Sequence, residues 1–430
     1  MIKDLPFREI HCELSEEERQ CNQCDEQMKP MGKKIMREEV CFIPAKLYKK
    51  VYVCHSYECN CHDPSYEAKQ IKSGIVPKGP IQNSLASASV LAFLMHQKYV
   101  LSLPLYRQEA EWKRYGLKVP RRTLANWVIT PTQDWLYPIY QCIHRYLLLN
   151  EVIHGDETPY QILNRSDGKA ATSDSRMWIF RTTHQAKRPI VMYHADLTRK
   201  QTVAQGILKG FKGYIQSDGY QAYKNIDNCV DVGCWAHVRR KFFEVPKGGQ
   251  ASVGVSHCDE MFKVERGLKD LPPEQRHQKR QTLLKPLIEK FYEWLGNLRP
   301  MKGKFGEAII YALNQKASLM RILLDGRLQL SNNLAEQKMR NIAIGRKNYL
   351  FSASEAGAQA NAIVYTIVET AKENGIDPFN YLNFLFEKLP NINFSRNPKL
   401  LEDFLPWTDN IKNNCLPKDN IKSSEVLSFN

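Results

Sequence analysis

The spacing of hydrophobic residues changes character near residue 149. Before that point, apolar positions recur every three or four residues through SLASASVLAFLMHQKYV, which predicts helices over residues 84 to about 145. After it, short runs rich in β-branched and aromatic residues predict strands, with one helix among them. The strands are predicted in LNEVIHGDETPYQIL, RMWIFRTT, PIVMYHAD, GYIQSDGYQAY and VDVGCWAHV, and the helix in KQTVAQGILKG.

The pattern changes again after these strands. Residues 256 to about 325 are charged and helical in pattern, and a last helical block from Asn332 to Leu382 is predicted to be interrupted by GRKNYLFSASEAG. Strands, then helices, then closing helices predict a mixed α/β core with an all-α insertion at about residues 250–325.

The first third of the chain has a different composition. Six of the twelve cysteines lie between Cys21 and Cys61, and residues 1 to about 63 lack helical periodicity. Residues 64–83 carry the prolines and glycines typical of a linker. In the helical region, the basic segment Lys113–Arg122 fits a small DNA-binding unit and equally fits a surface helix pair.

At the other end of the chain, the tail after Trp407 is polar.

Charge narrows the choice of partner. The chain has 61 Lys and Arg against 46 Asp and Glu, a net charge of +15, which indicates a polyanionic partner or simply a basic protein. There is no run of 18 apolar residues, which argues against a membrane span, and the N-terminal residues lack the apolar core of a signal peptide. We therefore expect a cytoplasmic protein whose cysteines are not a disulfide framework.

Three carboxylates fit the needs of metal-dependent phosphoryl transfer, which uses acidic side chains converging on two ions about 3.5–4 Å apart. Asp156 and Asp218 each follow an apolar run that predicts a buried strand, and Glu336 falls in the first two turns of a helix that Ser331 or Asn332 can cap. Each has an ordinary alternative. The aspartates suit turns or helix caps, and Glu336 suits an intrahelical ion pair four residues on.

Four blocks of the sequence together resemble the insertion-sequence-66 family of bacterial transposases, over residues of about 10 to 410. They are HGDETPY, YIQSDGYQAY, GCWAHVRRKFFE and SNNLAEQKMRNIAIGRKNYLFSASEAGAQANAIVYTIVETAKENGIDPFNYL. The resemblance implies a ribonuclease-H-like catalytic core with an Asp-Asp-Glu triad, which by motif is Asp156, Asp218 and Glu336, holding two Mg²⁺ or Mn²⁺ ions. Glu157 ranks second, because adjacent residues on a strand point to opposite faces.

The resemblance also implies a structural zinc domain at residues 10–63, before the linker at 64–83 and the helical region at 84–145. Its expected ligands are Cys21, Cys24 and Cys54, with Cys59 or Cys61 as the fourth. Tyr57 stands where the family's second Cys-x-x-Cys pair is usually completed, His55 and His62 are weaker candidates, and a knuckle without metal is the alternative. The catalytic domain is then expected at residues 146–385, and a C-terminal segment and tail at 386–430.

Two basic clusters are predicted to contact DNA phosphates, which give affinity without sequence information. They are Arg239, Arg240 and Lys241, and Arg346 and Lys347, the latter two placed in a loop. Cys234-x-x-His237 offers too few ligands for a metal site of its own, so we interpret Cys234 and Trp235 as core residues on a strand.

The sequence therefore predicts a cut-and-paste or nick-and-join DNA transposase. Water would attack at the element end, and the released 3′-hydroxyl would attack target DNA, without a covalent protein–DNA intermediate. The resemblance implies a homo-oligomer on element ends and target DNA, small accessory proteins encoded alongside, and association with the nucleoid, with no membrane. It also implies a helical segment ahead of the zinc region, so this sequence, which begins almost at that region, is interpreted as a truncated copy or a start-site variant.

Two alternatives differ in class from a transposase. One is a decayed, non-catalytic zinc- and DNA-binding remnant. The other is a ribonuclease-H-like nuclease that cuts DNA without strand transfer.

Overall fold

A computed structural model describes residues 9–20, 23, 26–37, 46–58, 71–171, 174–246, 249–299 and 302–417. The chain divides into two units, the first made of residues 1–51 and 417–430 and the second of residues 52–416. In the first unit, a 3₁₀ turn spans Glu17–Arg19, and Gln20 forms an isolated antiparallel bridge with Gln27. Among the described residues, no helix combines the length and the apolar character that crossing a bilayer requires.

The second unit begins with a small antiparallel pair of strands and a group of helices. The strands are β1 (Ser56–Glu58) and β2 (Ile71–Ser73), and the helices are α1 (Ala88–Tyr99), α2 (Leu105–Arg114), α3 (Arg121–Pro131) and α4 (Tyr137–Leu148). A π-helical turn at Thr132–Leu136 joins α3 to α4. This region is helical in pattern because its apolar residues recur at three and four spacings, as the buried Leu91, Leu94 and Met95 of α1 illustrate.

A five-stranded mixed sheet follows. Its elements are β3 (Val152–Pro159), β4 (Ile162–Asn164), β5 (Arg176–Thr182), β6 (Val191–Asp196), α5 (Gln201–Ile207), β7 (Gly213–Gln216) and β8 (Cys229–Val232), with β4 lying outside the main sheet. The strand order is β6-β5-β3-β7-β8, and β3 runs antiparallel to β5 but parallel to β7. Strand β3 is therefore central. It runs parallel to β7 and β8, so the carboxyl ends of these three strands lie at the same side of the sheet.

A helical insertion separates this sheet from the closing helices. It comprises α6 (Trp235–Phe243), α7 (Gln250–Leu268), α8 (Pro273–Lys279), α9 (Lys285–Gly296), α10 (Lys304–Asn314) and α11 (Lys316–Met320). It has its own apolar core, centred on Trp235, Phe242 and Phe291. Arg280, fully buried, ties this insertion together by pairing with Glu265 and donating to three backbone carbonyls.

The closing elements are α12 (Asn333–Tyr349), β9 (Ser352–Ser354), α13 (Glu355–Glu373), α14 (Pro378–Lys388) and α15 (Asp409–Cys415). Strand β9 pairs in parallel with β4. Helix α13 is largely buried and covers the edge strand β6, where the hydroxyls of Thr366 and Thr370 accept hydrogen bonds from the backbone amides of Tyr193 and Val191. An edge strand whose amides are bonded in this way is closed to pairing with another chain.

Helix α12 is fixed against the sheet by one fully buried amide. The side-chain nitrogen of Asn332 donates to the carbonyl of Gly155 on β3 at 2.9 Å, and its oxygen lies 3.0 Å from Nδ1 of His154. Since that oxygen only accepts, Nδ1 carries the proton of a neutral imidazole. Burial favours this neutral form, because it lowers the pKa of His154 to about 4.

Ionic contacts hold the next turns of the same helix. Arg181 of β5 donates to the carbonyl of Leu334 at 3.2 Å and pairs with Glu373 of α13 at 3.0 Å. Lys338 of α12 reaches Glu369 and Glu373 at 2.8 and 2.7 Å. Helix α12 is thus anchored to both the sheet and α13.

Two predictions about local structure are wrong. The strand predicted in VDVGCWAHV ends at Val232, and residues 235–243 form α6, since Trp235, Val238 and Phe242 are buried at helical spacing. The predicted loop Gly345-Arg346-Lys347-Asn348 is instead the last part of α12, which ends at Tyr349 where Leu350 takes a positive φ of 55°. The division into domains remains a prediction.

We expect Asn332→Ala to lower the free energy of unfolding by at least about 2 kcal/mol, because it leaves the buried Nδ1 of His154 and the carbonyl of Gly155 without their partner. Chemical denaturation followed by circular dichroism measures the change. The neighbouring Asn333 is exposed, so Asn333→Ala is the matched control and should shift stability by no more than about 0.5 kcal/mol. Equal stabilities of the two variants would contradict this role of Asn332.

Candidate active site

The two predicted aspartates lie at the same edge of the sheet. Asp156 is on β3, and Asp218 comes two residues after the end of β7, the parallel neighbour of β3. The paired residues His154 and Gln216 precede them by two positions on each strand, so the fold brings both carboxylates to one place. The sequence had suggested that Asp156 stands at the end of its strand. Strand β3 continues to Pro159, so Asp156 instead lies within it.

Glu336 joins them from the first turn of α12. The pKa of Asp156 is raised to about 8, first by burial and then by the negative charges of Glu157, Asp218 and Glu336. The three predicted carboxylates therefore lie in one electrostatic neighbourhood. Glu336 does not pair with Arg340, the ordinary alternative, but with Arg240 at 3.2 Å.

Asp156 and Asp218 are both half-buried, and unlike Glu157 and Glu369 they form no ion pair with a cation among the described residues. Oδ1 of Asp156 accepts the amide of Glu157, and Oδ1 of Asp218 accepts the amide of Tyr220, both at 2.8 Å. Among the residues that the structure describes, no Lys, Arg or His forms an ion pair with either carboxylate. When both carboxylates are ionised, a bound cation would compensate their charge.

Glu157 has different partners. Its carboxylate accepts hydrogen bonds from Nε of Arg199 and from the hydroxyl of Tyr223, both at 2.8 Å. The Tyr223 ring also packs on Gly155, where a Cβ would lie 2.8 Å from the ring. Glycine at position 155 therefore allows the ring to approach β3 and hold Glu157.

The Cys-x-x-His motif meets Glu336 at the start of α6. Ligand atoms of Cys234, His237 and Glu336 all lie within 4.8 Å of one another. Sγ of Cys234 accepts the backbone amide of Asn332 at 3.2 Å, and Nε2 of His237 lies 3.8 Å from Oε1 of Glu336. Burial raises the pKa of the Cys234 thiol to about 11 and lowers the pKa of His237.

This cluster was not predicted from the sequence. The Cys-x-x-His motif offers only two ligands and was expected on a strand, whereas the third ligand comes from a helix almost a hundred residues later. The interpretation of Trp235 as a core residue is confirmed, since it is fully buried against Phe291 and Tyr292. Three-residue spacing at a helix start was the available signal, because it puts both side chains on one face.

The predicted DNA-contacting residues differ in whether their side chains already have partners within the protein. Arg239 pairs with Asp259 at 2.6 Å, Arg240 with Glu336, and Lys241 is exposed. Arg346 donates to the carbonyl of Pro159 at the end of β3, and Lys347 is next to it in the last turn of α12. Their phosphate contacts stay a prediction.

A cavity of about 430 Å³ opens beside Arg199, the residue that binds Glu157, and its lining has four basic residues and one acid, Asp174. Its lining includes Arg165, Lys169, Arg199 and Lys200, together with Tyr220, whose ring centroid lies 3.7 Å from the Arg199 guanidinium carbon. This lining suits a polyanion better than an apolar ligand.

Four of the five predicted zinc ligands lie outside the described residues, namely Cys21, Cys24, Cys59 and Cys61. Of the weaker candidates His62 also lies outside them, and His55 is exposed. Cys54 is described: it is exposed, and its thiol donates to the carbonyl of Gly74 at 3.2 Å. The zinc-binding set therefore stays a prediction.

Comparison with known proteins assigns the family. Residues 83–360 match the model of the "Transposase IS66 family", and residues 366–407 match the model of the "IS66 C-terminal element". Three relatives from Sinorhizobium fredii are named as uncharacterized proteins. The chain is 30% identical to y4qI over 361 residues, which are 78% of this chain and 65% of y4qI. It is 31% identical to y4hP over 348 residues (74% and 61%), and 27% identical to y4jD over 425 residues (94% and 80%).

The chain thus spans less than two thirds of the length of the first two relatives. The family model itself covers well over half of this chain, from the first helices of the second unit through the sheet, the helical insertion and α12. The chain belongs to the IS66 family of transposases.

Proposed function

We propose that this chain is a DNA transposase that cleaves the ends of its insertion sequence and joins them to target DNA in a metal-dependent reaction. The observation that carries the proposal is the convergence of Asp156, Asp218 and Glu336 from β3, the end of β7 and α12, with no cation paired to either aspartate in the described part of the chain. Acids gathered in this way are unfavourable for folding alone, and bound divalent ions would compensate their charge.

The donor set fits magnesium or manganese. Carboxylate oxygens are the ligands these hard cations prefer, and few protein ligands suffice because the ions keep several waters. Asp156, Asp218 and Glu336 would hold the pair of ions. When bound, such a pair stabilises the attacking and leaving oxygens of an in-line displacement.

The rest of the site keeps these ligands in position. Asn332 fixes the start of α12 against Gly155. Gly155 immediately precedes Asp156, and Asn332 precedes Glu336 by four residues. Arg199 and Tyr223 donate hydrogen bonds to the Glu157 carboxylate, so its oxygens already have partners and we do not propose it as a metal ligand. Arg240 compensates the charge of Glu336 from the exposed side.

We infer that the mixed sheet is the ribonuclease-H-like core expected for the family, and that a zinc-binding region precedes it. Three antiparallel strands continue into two parallel ones, and the aspartates stand on the adjacent parallel pair at the centre, which supports the first inference. DNA, with element ends and target as substrates, is the proposed partner. Assembly as an oligomer and with accessory proteins is part of the same proposal.

Cations around the carboxylates supply the means to hold DNA. Arg346 and Lys347 follow Glu336 on the same helix, and the cavity that Lys169 and Lys200 line opens beside Arg199, the partner of Glu157. Phosphate contacts from such residues position the backbone without reading bases.

We expect Asp156→Asn, Asp218→Asn and Glu336→Gln each to abolish cleavage of a duplex carrying the element end, while binding of that duplex changes little. The reason is that each substitution removes a metal ligand and not a DNA contact. Cleavage in magnesium, strand transfer and binding are measured side by side.

The control for these variants is Asp227→Asn, which removes a charge from an exposed carboxylate and should leave cleavage unchanged. Cleavage near the wild-type rate in any of the three would overturn the assignment of that residue. Cleavage by the wild type without joining would favour a nuclease, and binding without cleavage would favour a non-catalytic remnant.

Asp156→Asn should also stabilise the metal-free protein at neutral pH. The wild-type carboxyl has a pKa of about 8 against an ordinary value of 3.8, so its ionisation opposes folding as pH rises between these values. An amide removes this cost and can still accept the amide of Glu157. A gain of about 1 kcal/mol corresponds to an increase in Tm of roughly 1 °C for a chain of this length.

Thermal unfolding with and without magnesium tests this expectation. Magnesium should raise the Tm of the wild type and not that of the variant. A lower Tm for Asp156→Asn in the absence of metal would indicate that the aspartate serves the fold.

Replacing Arg346 and Lys347 with Ala should weaken binding to element-end and random duplexes by similar factors. Each lost phosphate contact should reduce the slope of log affinity against log salt by about 0.9. The matched control is Arg396→Ala with Lys399→Ala, an equal loss of exposed charge. Salt titrations that give the same slope for both double variants would reject the phosphate role, and loss of discrimination between duplexes would indicate base reading.

A further inference from the structure

Cys234, His237 and Glu336 form a cluster that the proposed magnesium chemistry does not use as a unit. Their ligand atoms lie within 4.8 Å of one another, and they come from the start of α6 and the first turn of α12. Nδ1 of His237 and Oε1 of Glu336 are buried atoms without a hydrogen-bond partner. Polar atoms left in that state are rare in folded proteins, and a bound ion is one of the partners that can satisfy them.

The donor types decide which ion would suit the cluster. A thiolate, an imidazole and a carboxylate are the ligands of zinc and similar borderline-soft ions, whereas magnesium takes oxygen ligands. Three protein ligands with a fourth position left open is a common arrangement for zinc. A tetrahedral ion with bonds of about 2.0–2.3 Å needs ligand atoms roughly 3.3–3.8 Å apart, so small side-chain movements would close this cluster around it.

We propose that Cys234, His237 and Glu336 bind one zinc ion, or another borderline-soft divalent ion, at a site separate from the magnesium site but sharing Glu336 with it. The neighbours are arranged to permit this. The backbone amide of Asn332 donates to Sγ of Cys234 and would support a thiolate there. Arg240 donates to Oε2 of Glu336 and lies 3.5 Å from Nε2 of His237, while Oε1 of Glu336 faces His237. Half of the Arg240 side chain is exposed, so it can turn towards solvent when an ion binds.

Sharing of Glu336 has a functional consequence, which rests on the proposed function. A carboxylate that binds zinc together with Cys234 and His237 is drawn towards α6 and is no longer available to complete the magnesium site. Zinc therefore inhibits cleavage by competing with magnesium for one side chain.

Metal binding tests the site independently of activity. Full-length protein freed of metal is titrated with Co²⁺, and bound metal and cobalt–thiolate absorption are measured for the wild type, Cys234→Ser, His237→Gln and Cys258→Ser. Cys258 is an equally buried thiol on α7 and lies outside the cluster, so it is the matched control. Because the N-terminal cysteines can also bind cobalt, the difference between variants is the quantity that matters.

We expect Cys234→Ser and His237→Gln each to bind one equivalent less than the wild type and Cys258→Ser. His237→Gln leaves the bond between Asn332 and Cys234 in place, so it remains informative if Cys234→Ser fails to fold. Wild-type stoichiometry in a folded His237→Gln variant would overturn the site.

Inhibition tests the sharing of Glu336. Cleavage in fixed magnesium is followed at increasing zinc, and each variant is compared with its own zinc-free rate. Loss of a ligand should raise the zinc concentration for half-inhibition by about tenfold or more, since even the loss of a ligand's hydrogen-bond partner costs 10–100-fold in affinity. Added magnesium should relieve inhibition of the wild type.

The two proposals fail in different ways. If one equivalent of cobalt depends on His237 but no variant or wild type cleaves DNA, the metal site stands and the proposed function fails. If cleavage depends on the three carboxylates but zinc inhibits wild type and His237→Gln equally, the sharing of Glu336 is wrong.

Discussion

The buried amide of Asn332 is the contact on which the geometry of the site depends. It bonds to Gly155 of β3 through its nitrogen and to His154 through its oxygen, while its backbone amide donates to Cys234 at the start of α6. Three elements far apart in sequence therefore meet at one residue. Asp156 follows Gly155 by one residue, and Glu336 follows Asn332 by four. The two buried hydrogen bonds of the Asn332 side chain therefore set the position of one carboxylate relative to the other, and no loop is involved.

The carboxylates themselves are placed where the fold gains nothing from them. Other buried and half-buried acids in the described residues are compensated: Glu369 and Glu373 bind Lys338 and Arg181, Glu265 binds Arg280, and Glu157 binds Arg199. Asp156 and Asp218 stand apart from this rule in the described residues, and the raised pKa of Asp156 records the electrostatic cost. Local conflict of this kind is typical of functional sites, where surrounding structure maintains an arrangement that is unfavourable by itself.

The sequence predicted the central strands and both aspartates because an apolar run that leads into an acid is typical of a buried strand reaching the surface of an α/β core. It failed where a tertiary contact decides the outcome. Gly345 and its polar neighbours suggested a loop, yet Gly345 lies inside α12. A Cβ at this position would collide with the Tyr349 hydroxyl, so close packing and not a turn accounts for the glycine. Lys98 interrupts an apolar helix but is buried, since Asn361 of α13 accepts its hydrogen bond at 3.1 Å. The meeting of Cys234, His237 and Glu336 has the same origin, because no local pattern indicates that α12 returns to α6.

The helical insertion between β8 and α12 also determines when the site can form during synthesis. Both aspartates leave the ribosome well before Glu336, and the whole of α6 to α11 is made in between. Domains fold in the order in which they are synthesised, so the sheet can begin to assemble while its third acid is still missing. A polypeptide interrupted anywhere in the insertion would carry two of the three acids. It would lack Asn332, which binds the Gly155 carbonyl of β3. The three acids can therefore come together only after synthesis has passed α6 to α11 and reached α12.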